Sequence, residues 1–132
     1  MEDVVYPAIS RRYLSTLIDG LLILSAFMLS VYIFPGQDES SRMFRIILIS
    51  LMFFIYEPVL TSRLCTLGQL ITGIRVREVE DLDKISVISA YKRIIVKIPL
   101  GLISFFSIPF TKGKRAIHDF AAGSIVIYSD SQ

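Results

Sequence analysis

The chain has 132 residues, 53% of them hydrophobic, a net charge of +2 and a mean hydropathy of +0.61. That length sets one domain, 1–132, and that hydropathy excludes an ordinary soluble domain in favour of a small integral membrane protein. The weak positive balance implies no nucleic-acid partner, and the single cysteine, Cys65, excludes an internal disulfide and a Cys-based zinc site.

Residues 1–12 form a short polar entry ending in Arg11-Arg12. Tyr13–Phe34 follows, 22 residues with one charge, Asp19. About 20 residues at ~1.5 Å each cross the hydrocarbon core, so this run reads as a first transmembrane helix. It is longer than a signal-peptide core and no A-x-A-like site follows, so it is expected to stay as a span. Pro35-Gly36 stops it, and a polar loop turns the chain into a second span, about 43–60. Glu57-Pro58 is expected to break the far end of that span.

Residues 61–93 are charged and read as a solvated loop. Within it, 74–79 alternates as a half-exposed strand does, Glu80–Lys84 is turn-like, and Ile85-Ser86-Val87 is a candidate returning strand. The third apolar segment, 94–111, holds Lys97, Pro99, Gly101 and Pro109. Only 14 uncharged residues separate Lys97 from Lys112, about 21 Å as helix and short of a full crossing. It reads as a third span with a snorkelling Lys97, or as a re-entrant or interfacial element. Ser124–Tyr128 reads as a strand. The fold class is therefore a mainly α membrane protein with two firm transmembrane helices, this third segment, and short cytoplasmic strands.

Lys and Arg placement sets the orientation. A re-entrant third segment puts twelve of the basic residues on the N-terminal side and leaves Arg42 and Arg45 on the other; a third crossing makes it nine against five. Both versions place the N-terminus in the cytoplasm of a multi-pass cell-membrane protein, and the rule prefers the re-entrant one.

A carboxylate in a span costs about 2.5–3.5 kcal/mol on insertion scales, so Asp19 is expected to face protein or water and to be paired. Its alternative is an acid reaching for headgroups. Arg12, seven residues earlier, leaves the same helix face about 10.5 Å away, too far for an easy ion pair, so a third group is expected between them. Arg12 alternatively binds headgroup phosphate. Glu57 either caps the helix before Pro58 or shares a depth with Asp19, where two acids at low dielectric would raise one pKa. His118-Asp119, with Lys114 and Arg115, is the densest charged group after the last apolar segment. One His and one Asp are too few for a metal site. Gly68 and Gly73 have P-loop spacing but run into Ile74-Arg75, so phosphate-loop chemistry is rejected.

Three elements in order resemble the RDD family of small membrane proteins, named for an arginine and two aspartates. They are Arg12 with Asp19, Thr66-Leu-Gly68-Gln-Leu-Ile-Thr-Gly73-Ile-Arg75-Val76, and Arg115-Ala-Ile-His118-Asp119 running on to Gly123-Ser124-Ile-Val126. The chain reads as a divergent member: Leu67 and Gln69 stand where the family has proline and lysine, and Glu80–Lys84 replaces an Asp-Gly turn. The resemblance implies signature residues Arg12, Asp19 and Asp119, and the charge pattern adds Glu57, Arg115 and His118 as candidate contributors to the same cluster. It also implies an integral membrane protein from a family for which transport, including cation/proton exchange, has been proposed.

Two functions follow as expectations. One is transport of a proton, cation or small solute through a homo-oligomer, since two or three short spans enclose no path alone. The other is a non-transporting membrane module that binds a protein or lipid partner, with Arg12, Asp19 and Asp119 as a structural clasp. No cofactor and no enzymatic activity are expected beyond contact with the lipid bilayer.

Overall fold

The computed structural model describes residues 4–131; the first three residues of the polar entry and Gln132 of the polar tail lie outside them. Helix α1 runs Ile9–Ile33, about one turn longer at its start than its apolar run alone. Its buried residues are Arg12, Ser15, Asp19 and Ser30, while Leu14, Leu17, Leu21 and Leu24 are exposed. Polar side chains inside and leucines outside is the pattern of a helix solvated by hydrocarbon. Pro35 ends α1, and Arg45 donates to the carbonyls of Phe34 and Gly36 just beyond it. A cation at these carbonyls suits the negative end of the helix dipole.

Asp38 accepts from the Ser41 amide and starts helix α2, Glu39–Leu51. Met52–Tyr56 is a π turn, in which the Glu57 amide donates to Met52 O, and helix α3 follows as Glu57–Arg63. Glu57-Pro58 thus does not end the span; the helix continues for another turn and a half. Pro58 has no N–H, so the Phe54 carbonyl four residues earlier loses its helical donor. The Tyr91 hydroxyl supplies a donor to that carbonyl from a neighbouring helix.

The 61–93 stretch is more ordered than a solvated loop. It holds the end of α3, helix α4 (Leu67–Thr72), strand β1 (Ile74–Glu78) and the start of helix α5 (Val87–Leu100). The expected returning strand at 85–87 is reduced to a single bridge, Arg77 to Lys84, because Ser86 caps α5 by accepting from the Ser89 amide. After α5, a 3-10 helix spans Gly101–Phe110, then helix α6 is Ile117–Ala122 and strand β2 is Ser124–Tyr128.

β1 and β2 pair antiparallel, Ile74 opposite Tyr128 and Glu78 opposite Ser124. A segment that crossed once would leave its flanking strands on opposite sides of the bilayer. Their pairing brings the two ends of the third segment together, and its halves, Val87–Leu100 and Ile103–Phe110, meet at a bend of 110°, the geometry of a re-entrant loop or of a broken span. Among the described residues, Ile9–Ile33 and Glu39–Thr72 are the two unbroken helical stretches long and apolar enough to cross a membrane.

The paired strands are the ends of two similar units. In each, a six-residue helix ends on a left-handed glycine, Gly73 at φ +67° or Gly123 at φ +61°, and a five-residue strand follows. Glycine takes that conformation without the penalty a Cβ imposes. Both units pack against the polar end of α1, so the N-terminal arginines, the strands and the 111–115 turn meet at one end of the molecule. Arg11 donates to Thr72 O and stacks over Tyr128, and Arg12 donates to Lys114 O.

Candidate polar site

Asp19 and Arg12 take different partners along their shared helix face. Asp19 accepts from the Thr66 hydroxyl at 2.7 Å, the Gly68 amide at 2.9 Å and, more weakly, the Tyr56 hydroxyl at 3.4 Å. All three donors are neutral. Thr66 also accepts from the Gln69 amide, so one threonine caps α4 and ties it to α1. The approach requires glycine at 68, where a Cβ would stand 2.0 Å from Ser15 O.

Arg12 reaches Asp119 instead, in a buried ion pair with its Oδ2. Arg93 Nη2 lies 3.1 Å from Asp119 Oδ1, and the Ala116 amide donates to Oδ2 at 3.1 Å. Asp119 therefore caps α6 and binds two arginines, one from α1 and one from α5. Burial pushes its carboxyl upward, but Arg12 and then Arg93 overcome that and hold it below the usual carboxylate range. Of the expected basic neighbours of the signature acids, Arg115 donates to the Asp119 carbonyl and Lys114 offers only its own carbonyl, to Arg12.

Glu57 is paired with Lys97 and lines the same small cavity as Asp19, so the two acids share a site with a cation bound to one of them. Lys97 does not snorkel to the interface; it turns inward. Arg93 and Lys97 are the cations that sequence reading left out of the site. Their signal was available: they stand four residues apart at the edge of an apolar segment and so share one face of α5.

His118 and Ser104 are bonded through Nδ1, and His118 Nε2 lies 3.5 Å from Asp119 Oδ1. The arrangement assigns the ring proton to Nε2, with Nδ1 accepting from the Ser104 hydroxyl. The order Ser–His–Asp resembles a hydrolytic triad, but Ser104 has no exposed surface and the Asp119 charge is taken by two arginines. Burial lowers the His118 pKa to about 3, against the pull of Asp119, so the ring is a poor base. The trio fastens the third apolar segment to α6.

Arg12, Asp19, Glu57 and Gln69 line one small cavity together with Arg93, Lys97 and His118. It measures about 30 Å³, the room of one or two waters. Gln69 Oε1 and Arg93 Nε are buried there without partners among the described residues. Three cations (Arg12, Arg93, Lys97) balance three carboxylates (Asp19, Glu57, Asp119) in this interior. Among the described residues, no three His, Cys, Asp or Glu side chains converge as a metal site.

The model of the RDD family matches residues 6–123. The uncharacterized protein YckC of Bacillus subtilis (strain 168) is 30% identical over 125 residues, covering 87% of this chain and 80% of that protein. No solved structure matches. The three elements that carry the sequence resemblance are those that build this polar interior, and they fall within or at the edge of the matched region: the chain belongs to the RDD family, and it is a membrane protein with two helices able to span.

Proposed function

We propose that the protein exchanges a proton or small cation at Asp19, acting as an oligomer in the cell membrane with its N-terminus in the cytoplasm. One observation carries this reading. Asp119 has two arginines and Glu57 has a lysine, but among the described residues Asp19 has only neutral donors, and it borders the water-sized cavity. It is the acid of the cluster left to bind a mobile positive charge. A proton fits better than a metal ion, because the cavity has room for only one or two waters and, among the described residues, no three His, Cys, Asp or Glu side chains converge on it. The orientation rests on basic residues: the re-entrant path gathers twelve at the N-terminal end. Oligomerisation rests on geometry, since two spans and a re-entrant element do not surround a path. The ion pair of Arg12 with Asp119 favours a second reading, a non-transporting module in which these residues clasp the re-entrant segment to α1.

Purified protein in liposomes loaded with a pH-sensitive dye separates the two. Transport predicts proton or cation-coupled flux that Asp19→Asn abolishes while the thermal transition is retained. Absence of flux across a panel of cations, with Asp19→Asn unfolding the protein, rejects transport and leaves the clasp.

A further inference from the structure

We propose that the pocket under the 111–115 turn binds the phosphate of an anionic phospholipid headgroup. This site is separate from the Asp19 cavity and does not depend on transport. The pocket has a volume of about 380 Å³, and Tyr6, Thr111, Lys112, Gly113, Arg115 and Phe120 are on its wall. Its lining holds two cations and no carboxylate, so a phosphate entering it meets no like charge.

The two cations are prepared differently. Arg115 is already ordered: Nε donates to Ser124 O at 3.0 Å, Nη2 to Asp119 O at 3.3 Å, and the guanidinium lies 4.2 Å from the Phe120 ring centroid. Its Nη1 has no acceptor among the described residues. A guanidinium fixed before binding loses little rotamer freedom when it takes a phosphate oxygen. Lys112 is exposed and makes no hydrogen bond or ion pair among the described residues, so its ammonium is free for the same anion.

The position of the turn selects a lipid over a soluble anion. It follows directly on the 3-10 helix, where Ile103, Phe106 and Phe110 are 62%, 69% and 88% exposed. Large apolar side chains this bare in a membrane protein face hydrocarbon. Lys112 comes two residues after Phe110, so its ammonium follows directly on this apolar surface. Phe120, half exposed at the pocket, offers apolar surface beside the charged pair. A free phosphate would satisfy Lys112 and Arg115 but leave these aromatics uncovered, whereas a phospholipid covers both. Basic residues beside a bilayer attract anionic lipids in this way.

The test titrates detergent-solubilised protein, stripped of lipid, with phosphatidylglycerol or phosphatidylcholine and counts bound lipid by native mass spectrometry. Phosphatidylglycerol is expected to bind tighter. Lys112→Gln is expected to weaken it about fivefold, as loss of one membrane-facing cation does, with an unchanged thermal transition. Arg42→Gln, the same charge change at the far end of the spans, is expected to have no effect. Equal binding of the two lipids overturns the proposal, and so does equal weakening by Arg42→Gln, which would mark unspecific charge attraction. Displacement of the lipid by equimolar inorganic phosphate overturns the lipid assignment in favour of a soluble anion.

Discussion

Gly68→Ala tests how α4 and the Asp19 carboxylate are joined. A Cβ on residue 68 would stand 2.0 Å from Ser15 O, 2.8 Å from Ser15 C and 2.9 Å from Asp19 Oδ2. The first two atoms belong to the α1 backbone and cannot rotate away, so α4 must move off by more than an ångström. Overpacking of this kind costs about 1–3 kcal/mol. The shift also breaks the bond from the Gly68 amide to Asp19, and a hydrogen bond to a charged group is worth about 1.5–3 kcal/mol. Together the loss is about 2.5–6 kcal/mol, a large part of the ~5–15 kcal/mol that stabilises a typical domain. Gly20→Ala on the same face of the problem is the control, because nothing lies within 4 Å of its added Cβ. It should be neutral or stabilising by up to about 1 kcal/mol, since alanine is the better helix former. Thermal unfolding in mild detergent reads both variants, and Gly68→Ala should lower Tm by at least about 10 °C. A Gly68→Ala protein that melts with the parent and with Gly20→Ala would refute the close approach of α4 to α1.

Three further outcomes follow from the structure. His118 has a folded pKa of about 3 against ~6.5 unfolded, so between these values the unfolded chain binds more protons and acidification destabilises the fold by up to about 1.4 kcal/mol per pH unit. Tm should therefore fall from pH 7 to pH 5, and His118→Asn should flatten that slope; an equal slope in both would show that another group sets it. Asp119 acts in a lower window, because its depressed pKa keeps its contribution whole above ~4 and loses it only as pH falls further. Tyr91→Phe removes the donor that serves the Phe54 carbonyl and should cost about 1 kcal/mol. In a Pro58→Ala background the restored amide can serve that carbonyl, so the same change should cost less; a double-mutant cycle with zero coupling would sink this account of the π turn.

Much of the membrane architecture was legible in composition. The two spans, the strands at 74–78 and 124–128 and the short third segment all follow from runs of apolar residues and their interruptions. Helix α4 was not legible, because six residues give too little periodicity to stand out; its markers were the capping Thr66 and the terminal Gly73. The continuation of the second span past Pro58 was also hidden, because it depends on Tyr91, 33 residues further along, donating to Phe54. Lys97 was read as a side chain reaching for the interface, since sequence shows a charge near an apolar end but not the Glu57 that awaits it.

The sequence by itself determined that this protein lives in a bilayer, that Asp19 needs compensation there, and that the three signature elements belong together. Apolar length and the cost of a charge in hydrocarbon are local properties, so one chain suffices to read them. Which partner each charge takes was decided only by tertiary structure. Arg12 chose Asp119, 107 residues away, and Asp19 was left to the neutral donors of α4. That division depends on distances of a few ångströms between helices far apart in sequence, set by the close approach at Gly68 and by the strand pairing that folds the third segment back.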